Sequence, residues 1–267
     1  MARPIKLFRL LPLLALLAAP QAFADAFEDI LERKEIRVGL AEFAPWTMRD
    51  KSGGLIGFEV DLAKKIAEDM GVNLELRLYP WEQIIKALQD GEIDVIAGGM
   101  AITPERALQV NFTIPIATSG VGIATNTEKT AAIETLVDMN NGNIVIATVE
   151  GTLGANVARR LFPDADIREM SSSEAAQDFV ISGRAHAIVT SMPEARFVVL
   201  RNPDVLDLPI AEPILASAEG LAVKRGEQEL LNFLNAWVTA RDTDRWIPST
   251  HDYWFGTLDW LYQIEGE

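Results

Sequence analysis

The residues best suited to chemistry lie between Gly91 and Arg106, in the run GEIDVIAGGMAITPER. Asp94 to Ala97 reads as a short buried strand bounded by Gly91 and by Gly98-Gly99. Thr103-Pro104-Glu105 reads as a helix start, with a hydroxyl cap, proline at the first helical position and an acid in the first turn. Glycine-rich backbone ahead of a helix N-terminus leaves N–H groups free beside the positive end of the helix dipole, which favours an anion. Arg106 adds a planar fork of donors that matches a carboxylate. The run is expected to hold an anion; the alternative is a surface arginine on an ordinary strand-to-helix connection.

Groups for covalent or acid–base chemistry are sparse. His186 and His251 are the only histidines, and neither stands in an H-E-x-x-H spacing. There is no G-x-S-x-G elbow, phosphate loop or dinucleotide fingerprint. The absence of cysteine excludes a thiol nucleophile, disulfides, thiolate metal sites and an acylated-cysteine anchor. A binder rather than an enzyme is expected, with no cofactor and no metal.

The elements that must position Arg106 alternate short apolar runs with amphipathic stretches. Ile36 to Leu40 reads as a strand, Glu59 to Met70 as a helix, Leu74 to Leu78 as a strand and Trp81 to Leu88 as a helix. Asn143 to Thr148 reads as a strand, Leu153 to Leu161 and Ser173 to Ser182 as helices, Gly220 to Lys224 as a strand and Glu227 to Ala240 as a helix. This alternation predicts an α/β fold with mostly parallel sheets. GEIDVIAGGM (91–100) echoes GRAHAIVTSM (183–192): a glycine after a helix, then a short strand ending in small residues and methionine. The echo predicts two lobes built alike. Trp246, Tyr253, Trp254, Phe255 and Trp260 are expected to pack the C-terminal tail onto the core.

Hydrophobic residues make up 49% of the 267, enough for a sizeable core. Residues 1–24 read as a cleavable export signal. Arg3, Lys6 and Arg9 precede an apolar run too short to span a bilayer, and Ala22-Phe23-Ala24 supplies the cleavage site. The formal net charge is −15, and removal of those three basic residues makes the remainder more acidic still. Such a charge argues against nucleic acid and anionic membrane surfaces as partners.

Four motifs in order resemble the periplasmic solute-binding proteins of polar amino acid ABC transporters. Ile102-Thr103-Pro104-Glu105-Arg106 resembles that family's I-T-x-x-R turn. Phe43-Ala44-Pro45-Trp46 resembles its ligand-stacking loop, Gly57-Phe58-Glu59-Val60-Asp61-Leu62-Ala63 its G-F-D-x-D-L-A helix start, and Val149-Glu150-Gly151-Thr152 its second anion loop. The resemblance implies the two-lobe type II periplasmic binding fold with two hinge crossings. Residues 25–117 with 217–267 would form lobe one and 118–216 lobe two. It implies a periplasmic monomer that delivers a small carboxylate-bearing solute to an ABC permease. A cyclohexadienyl-dehydratase-like enzyme and a ligand-sensing partner of a membrane receptor are the alternatives.

The resemblance also assigns roles. Arg106 would bind the ligand carboxylate, Gly99 and Ala101 would offer backbone contacts, and Phe43 and Trp81 would sandwich the ligand. Thr152 would take the carboxylate from lobe two, beside Leu153 where many relatives have a second threonine. Ser191 stands where relatives with α-amino acid ligands carry an aspartate for the ammonium group, and serine supplies no charge. Glu42 is the first candidate to replace that acid, with Glu194 and Glu219 behind it; all three are expected to be surface carboxylates.

Overall fold

The computed structural model describes residues 26–264, so the export signal read at 1–24 lies outside the described residues. The chain begins with α1 (Ala26–Arg33), β1 (Glu35–Leu40), a hairpin of β2 (Met48–Arg49) and β3 (Leu55–Ile56), and α2 (Phe58–Met70). It continues through β4 (Asn73–Leu78), α3 (Trp81–Gln89), β5 (Val95–Ile96), α4 (Pro104–Ala107), β6 (Val110–Phe112) and the long β7 (Ala117–Asn126). Next come β8 (Val145–Val149), α5 (Leu153–Leu161), β9 (Asp166–Met170), α6 (Ser173–Ile181), β10 (Ala187–Ser191), α7 (Met192–Arg201), β11 (Leu206–Asp207) and β12 (Leu215–Glu219). The chain closes with β13 (Ala222–Lys224), α8 (Gln228–Thr243) and α9 (Trp246–His251).

Two sheets define two lobes. The first runs β4-β1-β5-β13-β6, with β1 parallel to β4 and β5, and β13 antiparallel to β5 and β6. The second runs β11-β7-β10-β8-β9, with β12 also paired to β7. There β8, β9 and β10 are parallel, and β7 is antiparallel to its neighbours. The strands β7 and β12 link the lobes: β7 leaves the first after β6, and β12 re-enters it ahead of β13.

Local chemistry explains the elements that carry the site. In α2 the spacing of Val60, Leu62, Ala63, Ile66 and Ala67 puts one apolar face into the first core, and Gly71 ends the helix in the left-handed conformation. Each large side chain buried this way contributes about 1.5–3 kcal/mol. Asp94 accepts the Arg37 amide at 2.8 Å and pairs with the Arg37 and Arg33 guanidiniums, fixing the entry to β5 beside β1. Gly91 and Gly183, the two echoing glycines, both have positive φ just after helices α3 and α6.

The C-terminal aromatics pack as expected. Trp254 donates to Asp61 at 2.9 Å, and Trp260, 1% exposed, donates to the Trp254 carbonyl at 3.0 Å and lies against Phe197 of α7. Among the described residues no helix is long and apolar enough to cross a membrane.

Candidate functional site

The sequence-predicted residues converge where the parallel strands end. Phe43 follows β1, Trp81 follows β4, Gly98 and Gly99 follow β5, Thr152 follows β8, and Ser191 ends β10. Ligand crevices in open α/β sheets lie at these carboxyl ends. Phe43, Trp81, Gly99, Ala101, Arg106, Thr152 and Ser191 all line one cavity between the lobes. Its volume is about 60 Å³. About 10–15 Å³ accommodates one water, so this closed arrangement suits a compact solute.

Arg106 rises from α4, a helix of a single turn. Thr103 does cap it, accepting the Arg106 amide at 3.3 Å. One turn sums little dipole, so the guanidinium rather than the helix end supplies the positive charge here. Its Nη1 donates to the Ala101 carbonyl at 3.0 Å and its Nη2 to the Gly151 carbonyl of the opposite lobe at 3.2 Å. Among the described residues no carboxylate pairs with it; burial draws its pKa down to about 10, so it is charged at neutral pH.

The guanidinium carbon lies 5.3 Å from the centre of the Trp81 ring, a cation–π geometry. Trp81 Nε1 also donates to the Gly151 carbonyl, at 3.2 Å. Two donors from the first lobe thus converge on one carbonyl of the second. Phe43 packs on Trp46 with ring centres 5.2 Å apart.

Thr152 and Ser191 both cap helices. The Thr152 hydroxyl donates to the Val149 carbonyl at 2.7 Å and accepts the Ala155 amide at 3.1 Å, so its own donor is committed. What that leaves for an anion is the first turn of α5 itself: Leu153 and Gly154 line the cavity, and N–H groups at these positions have no intrahelical acceptor. Ser191 Oγ accepts the Glu194 amide at 3.3 Å and keeps its hydrogen to donate.

Two expected backbone contacts are spoken for. The Gly99 amide donates to Glu59 Oε1 at 2.8 Å, and the Ala101 carbonyl accepts from Arg106. Gly99 has φ 59°, and a Cβ there would sit 2.4 Å from the Trp46 indole nitrogen. Glu42 does not reach the cavity. It pairs with Arg49 at 2.6 Å, both side chains about half exposed, beside an adjoining crevice. Among the described residues no group of three His, Cys, Asp or Glu side chains is placed to hold a metal.

The profile of the bacterial extracellular solute-binding proteins, family 3, matches residues 36–257. The chain belongs to this family. It is 25% identical over 239 residues to the L-cystine-binding protein TcyJ of Escherichia coli K12, covering 88% of this chain and 89% of that protein. It is 24% identical over 251 residues to the cyclohexadienyl dehydratase of Pseudomonas aeruginosa, covering 93% of each. Among solved structures, an ancestral amino acid-binding protein described as a precursor of cyclohexadienyl dehydratase superposes with a TM-score of 0.79 at 32% identity, over 87% of this chain and all of that one (100%). A putative binding component of an ABC transporter from Wolinella succinogenes, complexed with lysine, gives 0.80 at 29% identity over 86% and 99%.

In this family 3 solute-binding protein the acids depart most from expectation. Glu219 and Glu194 are buried, not on the surface. Glu194 sits beneath β10, accepting hydrogen bonds from Ser173, Thr190 and Gln177, and burial raises its pKa. Glu219 lines the cavity and accepts from Trp46 Nε1 at 2.9 Å. Burial pushes it up to about 7, against the pull of the Trp46 and Ser119 donors. Glu59, behind Gly99, is pushed up to about 8 by burial and by the nearby Glu219, against the Gly99 amide.

Sequence reasoning passed over Ser119, Ser217, Thr190 and Gly154, which also line the cavity. The alternation Ala216-Ser217-Ala218-Glu219 was the available signal: in a strand it puts Ser217 and Glu219 on one face.

Proposed function

We propose that the protein captures a small carboxylate-bearing solute, an amino acid or amino-acid-like acid, between its lobes and delivers it to an ABC permease. One observation carries this reading: a charged Arg106, with no carboxylate partner among the described residues, faces a cavity shared with the first turn of α5. The arrangement offers guanidinium donors from one lobe and helix amides from the other, and a carboxylate has lone pairs for both. Trp81 and Phe43 cover the flanks and exclude water, which strengthens the charge interaction.

Lobe one would be 25–117 with 217–267 and lobe two 118–216, moving about β7 and β12. The solute would meet Arg106 and the aromatics first, and the amides of α5 and the Ser191 hydroxyl on closure. Contacts made only in the closed form shift the population toward it. The closed surface is what a membrane permease would read, from the periplasm, with the chain as a monomer.

The test is thermal shift and calorimetry on refolded protein against amino acids, betaines, keto acids and aromatic acids. A ligand at a hundred times its Kd raises stability by roughly 2.7 kcal/mol. Arg106→Ala should abolish the response, because losing one partner of a buried charge pair costs about 3–5 kcal/mol. Unchanged binding in Arg106→Ala would remove Arg106 from the site.

A second reading, a dehydratase acting on a cyclohexadienyl acid, draws on Glu219: a cavity carboxyl protonated near neutral pH is a proton donor. Turnover of prephenate, followed by its ultraviolet absorbance, decides between the two.

A further inference from the structure

Sixteen residues line the cavity, and among them Arg106 is the one cation and Glu219 the one carboxyl. They come from different elements that meet at Ala101, whose carbonyl accepts from Arg106 and which pairs with Glu219 in a β-bridge. Arg106 stands on α4, next to the Trp81 wall. Glu219 ends β12, in the two-stranded ribbon that links the lobes. The register of that ribbon sets Ser119 of β7 opposite Ser217 of β12, with Glu219 two residues further along on the same face. All three line the cavity, which makes this wall a polar stripe.

The stripe is incompletely satisfied. Glu219 is 3% exposed and accepts from the uncharged Trp46 indole, and no cation pairs with it among the described residues. Ser119 Oγ is buried, and it lies beside Glu219 without the alignment that completes a hydrogen bond. A buried carboxyl without a cation and a buried hydroxyl without a completed hydrogen bond are both costly unless something enters to meet them. Ser191, across the cavity, brings no charge, and its oxygen already caps α7.

We propose that Glu219 receives the cationic nitrogen of the ligand, flanked by the Ser119 and Ser217 hydroxyls, so that the solute is a zwitterion held between Arg106 and the linking ribbon. This rests on the carboxylate-binding reading above. It moves the ammonium contact from the end of β10 to the strand that joins the lobes. A solute ammonium there has three N–H donors for one carboxylate and two hydroxyls. Because Glu219 lies on a crossing strand, the ion pair ties ligand binding to the geometry of the crossing itself.

The experiment compares size-matched acids by isothermal titration calorimetry on refolded protein: L-alanine with L-lactate, L-phenylalanine with L-phenyllactate, L-glutamate with L-2-hydroxyglutarate, and L-arginine with L-argininic acid. In at least one pair the amino acid should bind the wild type about tenfold or more tightly than its hydroxy counterpart, as for a charge-assisted hydrogen bond of about 1.4 kcal/mol or more. Glu219→Gln should shrink that preference to threefold or less by weakening only the amino acid, whereas Arg106→Ala should weaken both members. Ser119→Ala is the milder variant should Glu219→Gln not fold, and a selective loss of threefold or more for the amino acid is expected there. Equal binding of both members to the wild type overturns the proposal, as does a preference that survives Glu219→Gln or is untouched by Ser119→Ala. If neither member of any pair binds, this proposal falls, while the carboxylate reading is decided by the betaines, keto acids and aromatic acids.

Discussion

The Trp46 indole donates to Glu219 across 173 residues of sequence, at 2.9 Å, and both partners are buried. Trp46 belongs to the loop after β1 and Glu219 to the end of β12, so this bond fastens the lobe-one loop to a strand crossing between lobes. Trp46→Phe keeps the ring but leaves a buried carboxyl without its donor, which costs about 1–3 kcal/mol. Loss of a donor to the ionised form also raises the Glu219 pKa further. A fall in melting temperature with retained circular dichroism is the expected result; an unchanged melting temperature would show the bond to be energetically idle.

Glu59 and Glu219 together set a pH dependence. Both are held above their ordinary value of 4.5, at about 8 and about 7, chiefly by burial. Between roughly pH 4.5 and 8 the folded state therefore binds more protons than the unfolded state. Stability is full below about 4.5 as far as these two groups are concerned, and declines as pH rises through 7 and 8. The ligand-free protein should melt lower at pH 8.5 than at pH 5.5, with a smaller difference in Glu59→Gln. A melting temperature flat or rising over that interval contradicts the burial of these acids.

Gly99 has a double reason to be glycine: a positive φ and an indole where a Cβ would go. Gly99→Ala combines left-handed strain with overpacking, about 2–4 kcal/mol in total. Its effect should exceed that of Ala101→Gly, measured by denaturant unfolding. Equal effects would mean that the loop after β5 yields freely.

The two donors on the Gly151 carbonyl bridge the lobes. Trp81→Phe removes one of them while keeping an aromatic face, at about 0.5–1.5 kcal/mol. Ligand affinity should drop about two- to tenfold, since 1.4 kcal/mol is a factor of ten. The radius of gyration by small-angle scattering should rise in the ligand-free protein. If neither changes, the closed form does not depend on this contact.

Much of this molecule is local, and local features were legible. Helix α5 begins and ends where Thr152 and the apolar spacing place it, Leu153–Leu161, because a capping hydroxyl and a helical period act within a few residues. Phe43, Trp81 and Thr152 line the cavity just past strand ends, Ser191 at the end of β10, and Arg106 from the turn of α4. Thr103-Pro104-Glu105 specifies how α4 starts but nothing about its length, which tertiary packing holds to one turn.

The choice among the acids was decided only by tertiary structure. Glu42, Glu194 and Glu219 are alike by composition, and charged side chains are ordinarily exposed. The pairing register of β7 with β12 turns Glu219 into the cavity, Arg49 draws Glu42 out of it, and the hydroxyls of Ser173 and Thr190 hold Glu194 under β10. Each of these outcomes depends on a partner fixed by packing, from four residues away for Thr190 and Glu194 to about a hundred for the β7–β12 register. The sequence by itself determined the strand–helix order and the arginine that calls for an anion; the fold determined which carboxyl shares its cavity.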